Sequence, residues 1–389
     1  MKRIRVPAVV AGTVAAGTVV LVALTAFTVV ARQHRATPPR PSQPAAPRLV
    51  SRLNTSQLAG QRVIYSYRGL TPPAALLQLI RQGEAAGVIF FAGNIASLAQ
   101  LAAVARELQQ ANLSPANPVH APLLLMTDQE GGEVRRLPGP PVLSEKQIGQ
   151  SARPATQGRL AGTGAAANLR SAGLNVNLAP VLDVYRSAGD FLDQYSRSYS
   201  TDPRQVVQLG ADFITAQQAG GVAATAKHFP GLGAAARPQD TDLRPVTLGV
   251  PRSALRGVDE LPYQAAIAAR VKLVMLSWAV YPALDPARPA GLSPAIVQGE
   301  LRHRLGFRGV TITDALGAGA LASFGSIGHR GQLAALAGLD LLLCSDHRVA
   351  EGEQALAGLA AGYRSGQLSH ASGRAAVTRI LALRGSLPG

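Results

Sequence analysis

The sequence of 389 residues has one cysteine, one tryptophan and three methionines. A single thiol forms no intrachain disulfide, and no Cys/His set has metal-ligand spacing, so staples and a cysteine metal site are both excluded. Cys344 closes the apolar run Leu341-Leu-Leu-Cys344 and reads as a buried core thiol. Aromatic residues amount to 4% while alanine is abundant, so the core is expected to be aliphatic. Lysine occurs only at positions 2, 146, 227 and 272, which makes the net charge of +16 almost wholly arginine. The arginines are scattered, with no basic cluster interleaved with aromatics. That pattern argues against nucleic acid as a partner and for attraction to an anionic cell surface. No Gly-rich phosphate loop follows a strand, since Gly131-Gly132 alone is too little. No metal and no cofactor are expected.

Hydrophobic residues at 47% exclude a largely disordered chain. Met1–Arg5 is basic, and Val6–Ala31 follows without a charge, long enough to cross a bilayer. Positive charge ahead of such a span keeps the N terminus in the cytoplasm and sends the rest outward. Val29-Val30-Ala31 also offers a signal-peptidase site, so residues 1–31 read as a signal peptide or an N-terminal membrane anchor. Residues 32–52, rich in Pro, Arg and Ala, read as an extended linker, and residues 53–389 as one catalytic domain.

Within that domain apolar strands alternate with helical patterns. The strands read as 62–67, 87–91, 122–127, 176–183, 222–227, 272–277, 310–313 and 339–344. The final helix is the one holding Leu356, Leu359 and Tyr363. Near-continuous apolar strands suit a parallel sheet covered on both faces, and eight such units predict an α/β fold, a TIM-like (β/α)8 barrel. An open doubly wound sheet is the alternative.

Chemistry in such a barrel sits at the C-terminal ends of the strands. Those ends carry Asp128-Gln-Glu-Gly-Gly132 with Arg135 and Arg136, then Asp183 and Arg197, then Lys227 and His228, Ser277 and Trp278, and Asp314. Carboxylates, arginines, one lysine and one histidine suit a hydroxyl-rich substrate. Glycoside hydrolysis needs a nucleophile or base and an acid flanking the scissile bond, and Asp314 fits the first role. Spacing alone also allows Asp314 to cap the next helix.

Three motifs, Lys227-His-Phe-Pro-Gly231, Asp128-Gln-Glu-Gly-Gly132 and Leu305-Gly-Phe-Arg-Gly-Val-Thr-Ile-Thr-Asp-Ala-Leu316, together resemble glycoside hydrolase family 3, in its single-domain β-N-acetylglucosaminidase branch. The resemblance runs from about Leu58 to the C terminus. It implies a barrel and retaining hydrolysis through a covalent glycosyl-enzyme, with Asp314 as nucleophile. It also implies that Asp128, Arg136, Arg197, Lys227 and His228 hold the terminal N-acetylglucosamine. The usual pattern has histidine where Leu232 stands and an Asp-Ser-His triplet in the following loop, whose histidine is the acid/base. Here the loop reads Gln239-Asp-Thr-Asp242, similar to a secreted sub-branch ending Asn-Thr-Asp. Asp242 is therefore the candidate acid/base and Asp240 the second candidate. The branch's methionine two places beyond Asp-Ala-Leu is also replaced, by Ala318. The expected function is an exported glycosidase removing terminal β-N-acetylglucosamine from peptidoglycan fragments or related glycans. A β-glucosidase-like activity and a catalytically silent wall-sugar-binding barrel are the alternatives. The expected partners are the glycan and, through an uncleaved N-terminal segment, the membrane; a monomer is the default.

Overall fold

A computed structural model describes residues 46–388. The expected signal or anchor, residues 1–31, lies outside them, as does most of the expected linker. Among the described residues no helix is long and apolar enough to cross a membrane. The chain enters the fold with a short helix, Ala46–Val50, and Val50 is buried against the core although the sequence reading put it in the linker.

Eight parallel strands close into a barrel in chain order: β1 Val63–Tyr65, β2 Gly87–Ile89, β3 Leu124–Thr127, β4 Val176–Asn177, β5 Ala223–Phe229, β6 Leu273–Leu276, β7 Val310–Ala315 and β8 Leu341–Leu343. The last rung is β8 on β1, with Leu342 opposite Val63 and Leu343 opposite Ile64. This is the expected barrel and not an open sheet.

The strands are short and apolar because each is covered twice. Successive side chains alternate between the two faces of a strand. Ile64, Ile89, Leu124, Met126, Leu273, Met275, Ile312 and Leu341 belong to a cluster that fills the interior. Their neighbours Val63, Val88, Leu125, Val274 and Leu342 belong to the shell beneath the surrounding helices. An alternating apolar/polar strand would put polar groups into one of these two layers. Several helix starts carry side-chain caps. Ser97 Oγ accepts from Gln100 N–H and Ser326 Oγ from His329 N–H, while Asp202 precedes Pro203 at the first helical position of Pro203–Ala219.

One element departs from the sequence reading. The chain does not end with the helix around Tyr363 (Val349–Ser365); a further helix, His370–Gly385, follows it. Ile380 and Leu383 of this helix join the interior cluster, and Arg384 reaches the turns that precede β1 and β3. The helix therefore plugs the N-terminal mouth of the barrel. The opposite mouth stays open.

Candidate active site

The open mouth holds a cavity of about 430 Å³, within the ordinary ~300–1,000 Å³ range of small-molecule sites. Asp128, Arg136, Arg197, Lys227, His228, Asp242 and Asp314 all line it. Seven of the eight residues expected from sequence are thus brought together from five different strand ends and loops.

After β3 the chain folds into a hairpin, Gln129–Gly131 against Val134–Arg135. Gln129 builds it: its Nε2 donates to Leu137 O and its Oε1 accepts from Leu137 N–H, substituting for a strand partner. The hairpin returns Arg136 beside Asp128, with Arg136 N–H on Asp128 O at 3.2 Å. Arg135, one residue earlier, turns to Gly139 O instead and is not a lining residue.

Glu130, which the sequence reading left without a role, ties the cationic side of the site together. Its carboxylate receives Arg197 in a bidentate pair at 2.8 and 2.9 Å, and Lys227 Nζ lies 2.7 Å from Oε1. Lys227 Nζ also donates to Asp128 Oδ1 at 2.8 Å. Burial by itself would raise the Glu130 carboxyl; the Arg197 and Lys227 charges and hydrogen bonds overcome that and hold it down at about 2. Lys227 is buried, which disfavours its charge, but Asp128 and Glu130 push its pKa up. The ammonium thus stays charged in a dry site. A signal for Glu130 existed in the sequence, because Asp128 and Glu130 are two residues apart in an extended segment and so share a face.

Asp183 is the second residue that sequence gave no role beyond its place at a strand end. Fully buried, it accepts from His228 Nδ1 at 2.8 Å, from His228 N–H at 3.2 Å and from Leu232 N–H at 2.6 Å. A carboxylate only accepts, so Nδ1 carries the proton, and Nε2 is the ring nitrogen left to meet a ligand hydroxyl. Leu232 lines the cavity where the family pattern has histidine, and its contact with Asp183 is made by backbone N–H alone. Any side chain makes that bond equally well.

The two carboxylates proposed for chemistry come from different elements, the end of β7 and the loop after β5. Asp314, the penultimate residue of β7, is half-buried, with Oδ1 accepting from Ala315 N–H at 2.7 Å. Asp242 comes from the loop after β5 and is open to the cleft. Its pKa is pushed up to about 6, first by the surrounding protein, then by the negative charges of Asp314 and Asp240, against opposition from His228 and Arg197. Asp240 is not brought into the cavity. Its Oδ1 accepts from Asp242 N–H at 2.8 Å, so it shapes the turn that presents Asp242.

The glycosyl hydrolase family 3 N-terminal domain profile matches residues 54–383. The chain belongs to this family and is a glycoside hydrolase. It is 46% identical to an uncharacterized secreted glycosyl hydrolase of Arthroderma benhamiae, over 85% of this chain and 93% of that one. It is 33% identical to a β-hexosaminidase of Xanthomonas oryzae pv. oryzae, over 72% of this chain and 82% of that one. Among solved structures it resembles the family 3 β-N-acetylglucosaminidase of Paenibacillus sp. str. FPU-7, with a TM-score of 0.80 and 35% identity. That match covers 86% of this chain and 62% of the other. The β-N-acetylhexosaminidase of Beutenbergia cavernae gives a TM-score of 0.78 at 31% identity, over 86% of this chain and 99% of that one. These relatives place the chain in the β-N-acetylglucosaminidase branch of the family.

Proposed function

We propose that the protein is an exported retaining glycosidase that removes terminal β-linked N-acetylglucosamine from peptidoglycan fragments or related glycans. Asp314 attacks the anomeric carbon while Asp242 gives its proton to the leaving oxygen, and the glycosidic C–O bond breaks. Asp242, now a carboxylate, takes a proton from water; the water oxygen bonds to the anomeric carbon and frees Asp314. Asp128 accepts sugar hydroxyls, Arg136, Arg197 and Lys227 donate to their oxygens, and His228 Nε2 meets one of them.

The observation that carries this reading is that Asp314 and Asp242 face one cavity beside the candidate sugar-binding groups. Two carboxylates line one cavity, and one of them is pushed up to about 6, where a general acid for near-neutral chemistry belongs. The hexosaminidase names of the relatives support the sugar, and the secreted relative supports export. Residues 1–31 serve as the export signal or anchor in this reading.

The test assays the full chain on 4-nitrophenyl β-N-acetylglucosaminide and the matching glucoside, beside Asp314→Ala and Asp242→Asn. Turnover of the acetamido sugar that disappears in Asp314→Ala is the expected result. Preference for the glucoside would shift the substrate, and no turnover of either by folded protein would leave a sugar-binding barrel.

A further inference from the structure

A retaining pair must keep its carboxyl groups about 5–5.5 Å apart. Asp314 is fixed in a strand, but Asp242 rides on a loop with no regular structure. Two backbone contacts fix the height of that loop. Gly319 N–H donates to Asp242 O at 2.7 Å, and Ala320 N–H donates to Thr241 O at 3.0 Å. The two donors lie five and six residues beyond Asp314 in the chain.

The connecting stretch is itself fastened on several sides. Trp278 Nε1–H donates to Ala315 O at 2.9 Å, Leu316 N–H to Leu343 O at 2.9 Å, and Arg330 Nη1 to Leu316 O at 3.1 Å. The loop can come this close only because residue 319 has no side chain. A Cβ there would lie 2.3 Å from Leu243 O and 2.9 Å from Asp242 O. Gly319 does not take a left-handed φ, so proximity alone selects glycine. Ala318, where the family pattern has methionine, lines the cavity next to this contact.

We propose that Asp314–Ala320 is a fixed spacer that sets the distance between nucleophile and acid, with Gly319 as its positioning residue. One end of the stretch carries the nucleophile, and the other end clamps the carbonyls on either side of the Thr241–Asp242 peptide. The inference rests on Asp242 being the acid/base. It adds that the loop is held in its working position before substrate arrives.

The experiment compares Gly319→Ala, Asp242→Ala and the double variant of the full chain on two substrates. One is 4-nitrophenyl β-N-acetylglucosaminide, whose leaving group departs with little acid help; the other is a β-1,4-linked N-acetylglucosamine disaccharide, which needs the acid. For Gly319→Ala the ratio of kcat/KM, disaccharide over nitrophenyl, is expected to fall by at least about tenfold, as a displaced general acid should give. In the Asp242→Ala background the same substitution should change that ratio by less than about twofold, because both act through one group. Azide should raise kcat on the nitrophenyl sugar in both single variants. It attacks the anomeric carbon of glycosyl-Asp314, forms the C–N bond and releases the carboxylate with no proton to remove.

If Asp242→Ala leaves the ratio unchanged, the acid/base assignment itself fails. If Asp242→Ala lowers it but Gly319→Ala does not, or if the two effects add fully, the spacer fails and the acid stands. Should Gly319→Ala not fold, amide hydrogen exchange of the unmodified protein decides. Slow exchange at Gly319 and Ala320 supports the clamp, and exchange as fast as an open loop overturns it.

Discussion

At the scale of single residues, charge placement does most of the work. Asp242 must be protonated to act as acid, and its pKa is raised to about 6. On substrates with poor leaving groups kcat/KM should therefore fall as pH rises through about 6, since the free enzyme then loses its proton. The limb should vanish in Asp242→Asn and be absent for the nitrophenyl sugar; a pH profile on both substrates checks it. Glu130 makes a different prediction. It sits between two buried cations, and removing one partner of a buried ion pair costs about 3–5 kcal/mol. Glu130→Ala should destabilise the fold by that order in urea titration. Glu130→Gln, which keeps the shape but loses the charge, should mainly raise KM, because Lys227 and Arg197 lose what holds them in place.

At the scale of elements, the strand ends are braced against each other. Trp278 is fully buried after β6, and its indole N–H holds the carbonyl of Ala315, the residue after the proposed nucleophile Asp314. Gly291 packs on the ring face, where a Cβ would approach within 2.5 Å. Trp278→Phe removes the donor and leaves a carbonyl without its partner, a loss of about 1–3 kcal/mol. We expect that loss in thermal or urea unfolding, together with a lower kcat at nearly unchanged KM, since the sugar-binding set lies on β3 to β5 and their loops. Pattern reading placed the eight strands well, because a barrel strand covered on both sides is an apolar run. It ran β4 too long, to Asp183. Beyond Asn177 the chain leaves the regular ladder and keeps to β5 through an isolated bridge, Val181 to Lys227, and a bond from Thr225 N–H to Ala179 O at 2.9 Å. Apolar residues continue through that stretch because it is still buried.

At the scale of the whole molecule, the barrel is open at one end and plugged at the other. The plug is the helix His370–Gly385, tied by Arg384 to Pro122 O at 2.8 Å, Ala121 O at 2.6 Å, Asn112 Oδ1 at 3.3 Å and Gln61 Oε1. Arg384→Met leaves these buried acceptors unpaired. It should cost at least about 3 kcal/mol by denaturant unfolding while turnover of the remaining folded protein stays near normal, because the site occupies the other mouth. Little in the sequence announces this helix. Its buried positions, Gly373, Ala376, Val377, Ile380, Leu381, Leu383 and Arg384, recur at helical spacing, but two small residues and an arginine among them weaken the apolar signal.

By itself the sequence determined what short-range rules and residue chemistry dictate. It fixed the number and order of strands, through their apolar runs, and the strand ends where polar residues gather. It also carried the motifs that named the family and the nucleophile candidate. The tertiary structure decided the rest, because those matters depend on contacts between residues far apart in the chain. Glu130 and Arg197 are 67 residues apart, and Asp183 and His228 are 45 apart. No local pattern pairs them, yet these pairs orient the binding groups. The sequence reading ranks Asp242 above Asp240 as acid/base, and the fold adds where each carboxylate goes. Asp240 Oδ1 accepts from Asp242 N–H, while the Asp242 carboxylate faces the cleft, where desolvation and then the charge of Asp314 raise its pKa.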